Sequence, residues 1–112
     1  MEIKEEKYLD IVIEKIEFDR ATIGEANLLK EKINKAITDG WIKIIIDLST
    51  CEYLDSTFLG VLVMMLKKAT KLGGDVRLVG LQAEVLAMFE LTRMFRVFRT
   101  YSDLQKAISS YT

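Results

Sequence analysis

Three consecutive isoleucines set the strongest limit on how this chain folds. The segment Ile44-Ile45-Ile46-Asp47-Leu48 belongs to an apolar, β-branched run over 41–48 that is broken early on only by Lys43. A run of this kind, without polar alternation, suits a central strand covered on at least one face. It leads through a short loop to Asp55-Ser56-Thr57-Phe58-Leu59-Gly60, where the pattern turns helical. The loop therefore delivers a hydroxyl to the start of a helix. Asp55 or Ser56 is suited to cap the orphan N–H groups of a helix opened by Thr57, and the positive end of the helix dipole favours added negative charge nearby. A phosphate at this point would be tolerated by the fold and visible to a partner.

The segments on either side extend an alternation of strands and helices. Residues 2–6 and 8–17 read as two strands of an antiparallel ribbon with a turn at Glu6-Lys7, the second strand carrying Ile11, Val12, Ile13 and Ile16. Ala26, Leu29, Ile33, Ala36 and Ile37 recur at helical spacing between Thr22, a fitting N-cap, and Gly40. A second helix spans 57–72 and stops at Gly73-Gly74. Next come a strand over 76–79 and a third helix over 83–90 with Leu86 and Phe89 inward. A strand over 96–100 and a terminal helix capped by Ser102 complete the chain. In that last helix Leu104, Ala107, Ile108 and Tyr111 form the apolar stripe, and Asp103 complements the dipole. The order predicts an α/β fold: a mixed central β-sheet of about five strands, with parallel strands joined by helical crossovers and four main α-helices.

Composition narrows what such a fold does. With 112 residues, half of them hydrophobic and 29% charged, the chain is expected to form one compact domain over 1–112. Sixteen basic residues against 17 acidic ones, with no basic block, argue against direct nucleic-acid binding. Histidine is absent and Cys51 is the only cysteine, which removes histidine triads, histidine-ligated metals, zinc clusters and internal disulfides. No cofactor and no metal site is expected. An enzyme built on this chain would have to use carboxylates, hydroxyls and lysines alone, so none is expected. Asp19 and Asp47 read as turn or cap residues rather than a catalytic pair, Cys51 reads as a small buried filler, and Gly73-Gly74 lacks the Lys-Ser or Lys-Thr of a phosphate loop. The acidic amphipathic N-terminus does not resemble a signal peptide and no stretch approaches the roughly 20 apolar residues of a membrane span, so a cytoplasmic location is expected.

The helix after Asp55 has two faces. At 100° per residue, Phe58, Leu62, Met65, Leu66, Ala69 and Leu72 share a broad core side, while Ser56, Gly60, Val63 and Lys67 fall roughly opposite, beside Met64. Glycine within a helix costs about 1 kcal/mol relative to alanine, so Gly60 points to close approach of something to its backbone. Packing inside the domain and docking of another protein explain it equally well. The commoner role of Asp55-Ser56-Thr57 is a plain N-cap.

The succession of strand, Asp55-Ser56-Thr57-x-Leu59-Gly60, helix, Gly73-Gly74 and strand resembles the bacterial anti-sigma factor antagonists of the STAS domain family. Glu17-Phe18-Asp19 is similar to that family's acidic loop, and Met88-Phe89-Glu90-Leu91-Thr92 with Met94-Phe95 to its third helix and following turn. Phe58, Ile16 and Arg93 depart from the pattern, standing where the family commonly has glycine. The resemblance implies partner switching. The unphosphorylated antagonist captures an anti-sigma factor that is also a serine kinase, the sigma factor is freed, and phosphorylation ends the capture. It implies Ser56 as phosphate acceptor and a phosphatase that restores it; the helix stripe of Ser56, Gly60, Val63 and Lys67 with Met64, flanked by Thr57, Asp55 and Asp19, is the expected partner surface, and a monomer or weak dimer is expected. The alternative is a STAS scaffold or sensory module unconnected with sigma factors, binding a protein or a nucleotide near residues 55–60.

Overall fold

The computed structural model describes residues 2–112. Strands β1 (Ile3–Tyr8) and β2 (Ile11–Ile16) form an antiparallel ribbon in register from Ile3↔Ile16 to Tyr8↔Ile11. The turn therefore falls at Leu9-Asp10 and not at Glu6-Lys7. Leu9 adopts φ 55, the left-handed backbone of a tight hairpin, without the Asn-Gly or Asp-Gly that usually announces one.

The chain continues through β3 (Arg20–Ala21), α1 (Ile23–Thr38), β4 (Lys43–Asp47), β5 (Tyr53–Leu54), α2 (Ser56–Lys71) and β6 (Asp75–Val79). It closes with α3 (Ala83–Thr92), a 3-10 turn at Met94–Arg96, β7 (Thr100–Tyr101) and α4 (Leu104–Tyr111). The main sheet has the order β1-β2-β4-β6-β7, with β1 antiparallel to β2 and every other pair parallel. This is the mixed five-stranded sheet with four helices that the sequence predicts. β3 and β5 make a separate two-stranded parallel sheet that the sequence did not suggest.

The sheet is buried on both sides. Val12, Ile16, Ile44, Ile46, Val76 and Leu78 face the larger core with Leu29 and Ile33 of α1 and Phe58, Leu62 and Met65 of α2. Ile11, Ile13, Ile45 and Val79 face Ala107 of α4, with Leu104, Ile108 and Tyr111 packed at the edge. Double coverage explains why β4 reads as unbroken isoleucine. Edge strand β1 is exposed beyond Ile3 and carries four charged residues in a row, Lys4 to Lys7, which guards it against pairing with another chain.

Helix ends follow local chemistry. In α1, Glu25 accepts hydrogen bonds from the Thr22 backbone N–H (2.9 Å) and hydroxyl (2.8 Å), and those bonds hold its pKa below the ordinary value. Gly73, at φ 87, turns the chain after α2, and a Cβ on Gly74 would run into the carbonyl of Ile42. Leu72, expected inward, is exposed because the helix ends at Lys71 and Leu72 is its C-cap. Leu86 is likewise exposed, and Val85 joins Phe89 as a buried residue of α3. The strand expected over 96–100 shrinks to Thr100–Tyr101, because the 3-10 turn is needed to bring Phe98 under Phe89, 6.0 Å between ring centroids. Asp103, not Ser102, caps α4 by accepting from Lys106 N at 2.9 Å.

Two further polar features sit against the sheet. The Tyr111 hydroxyl reaches the carbonyls of Ile44 (2.9 Å) and Asp75 (2.8 Å), while Arg77 lies 4.0 Å over the Tyr111 ring and donates to Ser110. These contacts latch α4 to the sheet. Glu14, in the middle of β2, is fully buried opposite Glu5. Burial, then the bond to Glu5, push its pKa up to about 8. With both carboxyls ionised neither Glu14 oxygen finds a donor, whereas protonated Glu14 donates to Glu5, whose pKa falls chiefly for that reason.

Candidate functional site

The loop before α2 is held from three directions. Asp55 has extended backbone (φ −95, ψ 177) and its Oδ1 accepts from Phe58 N at 2.9 Å. Asp55 is therefore the N-cap, and the helix begins at Ser56 rather than Thr57. β3 and β5 pair as Arg20↔Tyr53 and Ala21↔Leu54, and Asp55 N donates to the Ala21 carbonyl at 3.0 Å. The Asp19 carbonyl accepts from Glu52 N (2.8 Å) and Tyr53 N (3.0 Å). Phe58, buried as the helical wheel requires, meets Phe18 edge to face with ring centroids 6.3 Å apart. The acidic segment ending at Asp19 and the loop ending at Ser56 are thus fastened together by main-chain bonds and one aromatic contact.

These restraints free the hydroxyl. Because Asp55 supplies the capping oxygen, Ser56 occupies the first helical position with its side chain exposed. An added anion there would meet the unsatisfied N–H groups and positive dipole end of α2. Ser56, Thr57, Gly60, Met64 and Lys67 are all exposed, and Asp55 is half-buried beside them. Val63 is half-buried and packs against the core, so it contributes only an edge to this ridge. Asp19 is exposed on the neighbouring strand connection.

Gly60 decides between its two explanations. A Cβ built on it meets nothing within 4 Å, so packing inside the domain does not account for the glycine. The surface over its backbone is open.

Four residues beside the loop escaped the sequence reading. Arg20, Glu52, Tyr53 and Glu84 line a cleft of about 270 Å3 together with Asp19. Arg20, stacked 4.5 Å over the Tyr53 ring, is its one cation. The alternation Glu52-Tyr53-Leu54 was the available signal, but a two-residue strand is too short to stand out from a loop. The remaining candidates for chemistry are structural. Asp47 accepts from Ser49 N at 2.9 Å as a turn residue, and buried Cys51 donates to the Tyr53 carbonyl at 3.3 Å with its pKa raised by desolvation. Among the described residues no group of histidine, cysteine and carboxylate side chains is placed to hold a metal ion.

Residues 21–107 match the STAS domain family, a span that holds both the fastened loop and the whole of α2. This is a STAS domain of the anti-sigma factor antagonist family. A proposed anti-sigma factor antagonist of Thermotoga maritima is 30% identical over 103 residues, covering 91% of each chain. The crystal structure of an antagonist from the same species superposes with a TM-score of 0.88 at 28% identity, over 96% of this chain and 92% of that one. The Bacillus cell fate determinant SpoIIAA, solved in its phosphorylated form, shares the fold with a TM-score of 0.76 at 16% identity, over 98% and 99% of the two chains. The STAS assignment accounts for the sheet order and for the strand-loop-helix at Ser56. Arg93 sits at φ 59 as the C-cap of α3, a left-handed position that glycine more often fills. No described helix is long and apolar enough to cross a membrane.

Proposed function

We propose that residues 1–112 act as one STAS unit that captures an anti-sigma factor on the α2 ridge and is released by phosphorylation of Ser56. The captured protein is itself the serine kinase, so this chain is a substrate and not a catalyst. A phosphatase resets it, and the domain works as a monomer or weak dimer. The observation that carries this reading is the division of labour at the start of α2: Asp55 caps the helix, and Ser56 is left exposed on a ridge whose backbone lies open at Gly60. Thr57, Gly60, Met64 and Lys67 supply the contact surface, Val63 its edge, and Asp19 and Asp55 the acidic flank.

The size of the switch follows from charge. A phosphate brings about −1.5 to −2 charges, and one like-charge contact near a protein surface costs up to roughly 4 kcal/mol. That corresponds to nearly a thousandfold in affinity. The helix dipole stabilises the phosphate on this domain, so the cost falls on the complex and not on the fold.

The test is to incubate the purified chain with ATP and the serine-kinase anti-sigma factor of the same cell, then map phosphate by mass spectrometry. Labelling at Ser56 that disappears in Ser56→Ala, with binding retained, is the expected outcome. Labelling elsewhere, or none in a complex that does form, contradicts the proposal and favours the scaffold or sensory alternative.

A further inference from the structure

Helices α1 and α2 pack side by side, and the groove between their outer surfaces, about 380 Å3, is strongly one-signed. Lys30 and Asn34 line it from α1, and Met64, Lys67, Lys68 and Lys71 from α2. No carboxylate lines it. Lys68 donates to Asn34 Oδ1 at 2.6 Å, and none of the four lysines enters an ion pair among the described residues. The chain as a whole carries a net charge of only −1, so this is a local asymmetry and not a general basicity.

Helix stability explains part of the cluster. Lys68 and Lys71 lie in the last turn of α2, where cations complement the dipole. Lys67 precedes that turn, and Lys30 belongs to the middle of another helix. Gathering all four ammonium groups around one groove adds mutual repulsion that an anion would relieve. Met64 lies among them with 47% of its surface exposed, an apolar side chain ringed by cations. A simple anion would leave that side chain uncovered, whereas an amphipathic acidic peptide would cover it. Met64 and Lys67 also end the ridge that begins at Ser56, so a partner seated there reaches the groove without leaving the protein.

We infer that the groove receives an acidic peptide segment of the captured partner, its carboxylates on the lysines and one aliphatic side chain on Met64. The inference rests on the capture reading above and names the chemistry of the partner's second contact. Ser56 and Lys67 are eleven positions apart, roughly 16 Å along the helix, beyond the Debye length of about 8 Å at physiological salt. The groove and the phosphorylation site are therefore separable by experiment.

The full chain, 15N-labelled, is titrated with a short synthetic peptide of glutamates flanking one leucine, and with the same peptide carrying glutamine for glutamate. Amide shifts at Lys30, Asn34, Met64, Lys67 and Lys71 with the acidic peptide alone are expected. Weakening by roughly tenfold in Lys67→Glu/Lys71→Glu and by less than about twofold in Ser56→Asp should follow. These lysines are exposed, and an unchanged spectrum elsewhere shows that the double variant is folded. Shifts elsewhere or none, or equal binding by the glutamine peptide, overturn the inference. So does tighter binding to phosphatidylserine vesicles or to single-stranded RNA than to the acidic peptide. If the peptide binds as expected while Ser56 phosphorylation leaves partner affinity unchanged, the capture reading fails alone. If phosphorylation releases the partner but the peptide does not bind, the groove assignment fails alone.

Discussion

Ser56 and Tyr111 carry the same functional group in opposite settings. The Tyr111 hydroxyl is buried against the sheet, reaches two main-chain carbonyls and latches α4, and burial raises its pKa far above the ordinary phenol value. The Ser56 hydroxyl, at the start of α2, is exposed and relieved of capping by Asp55. One oxygen is committed to the fold and the other is available for chemistry. Solvent access, and not the type of residue, separates the hydroxyl fixed in the fold from the one left free.

The contrast predicts that surface changes alter binding and buried changes alter stability. The largest effect on binding belongs to Ser56→Asp: partner affinity should fall by two to three orders of magnitude, about 3–4 kcal/mol, with the midpoint of denaturant unfolding almost unmoved. A loss of stability of similar size would place Ser56 on the structural side.

Glu14 comes first for stability. Unfolded, it titrates near 4.5; folded, near 8. Folding therefore takes up a proton between those values, so the stability owed to neutral Glu14 is complete below about pH 4.5 and is lost as pH rises to 8. Glu14→Gln keeps a donor and removes the titration. Relative to the wild type it should gain roughly 4 kcal/mol between pH 4.5 and pH 8, read from urea unfolding at both pH values. Parallel pH profiles for the two proteins would mean that Glu14 is not held neutral.

Tyr111→Phe should cost about 1–2 kcal/mol by the same measurement, because the carbonyls of Ile44 and Asp75 lose the one hydroxyl proton they share, and should leave partner affinity unchanged. Gly60→Ala has the smallest expected effect on the fold and reverses the usual sign. It should stabilise α2 by about 1 kcal/mol, since a methyl group there meets nothing, yet weaken capture if a partner closes on the backbone. Tighter folding with unaltered binding would move the docking surface away from Gly60.

The parts legible in the sequence were those with strong periodicity. α1 emerged with its Thr22 cap and buried stripe, β4 from its isoleucines, and α2 from Phe58, Leu62, Met65, Leu66 and Ala69. The misses have local causes. Leu9 adopts a left-handed turn without a turn-forming residue type, because the register of the β1-β2 ribbon forces it. β3 and β5 have two residues each, too few for a period, yet they fasten Asp19 to the Ser56 loop. Ser102 and Asp103 are adjacent cap formers, and only the Asp103 bond to Lys106 N tells them apart. Leu86 and Leu72 are exposed although their spacing points inward, because hydrophobicity alone does not encode where a helix ends or how it tilts. For the site, the strand-loop-helix order exposed Ser56, but the cleft around Arg20 and Tyr53 arises from pairing between distant segments. The lysine groove likewise joins residues more than 30 positions apart.

The central claim is that charge on one exposed oxygen controls capture. Isothermal titration of the kinase-type anti-sigma factor into this domain, before and after stoichiometric phosphorylation of Ser56, tests it most directly. The account predicts a fall in affinity of about a hundredfold or more with no change in thermal unfolding. Equal affinity for the two forms would contradict it.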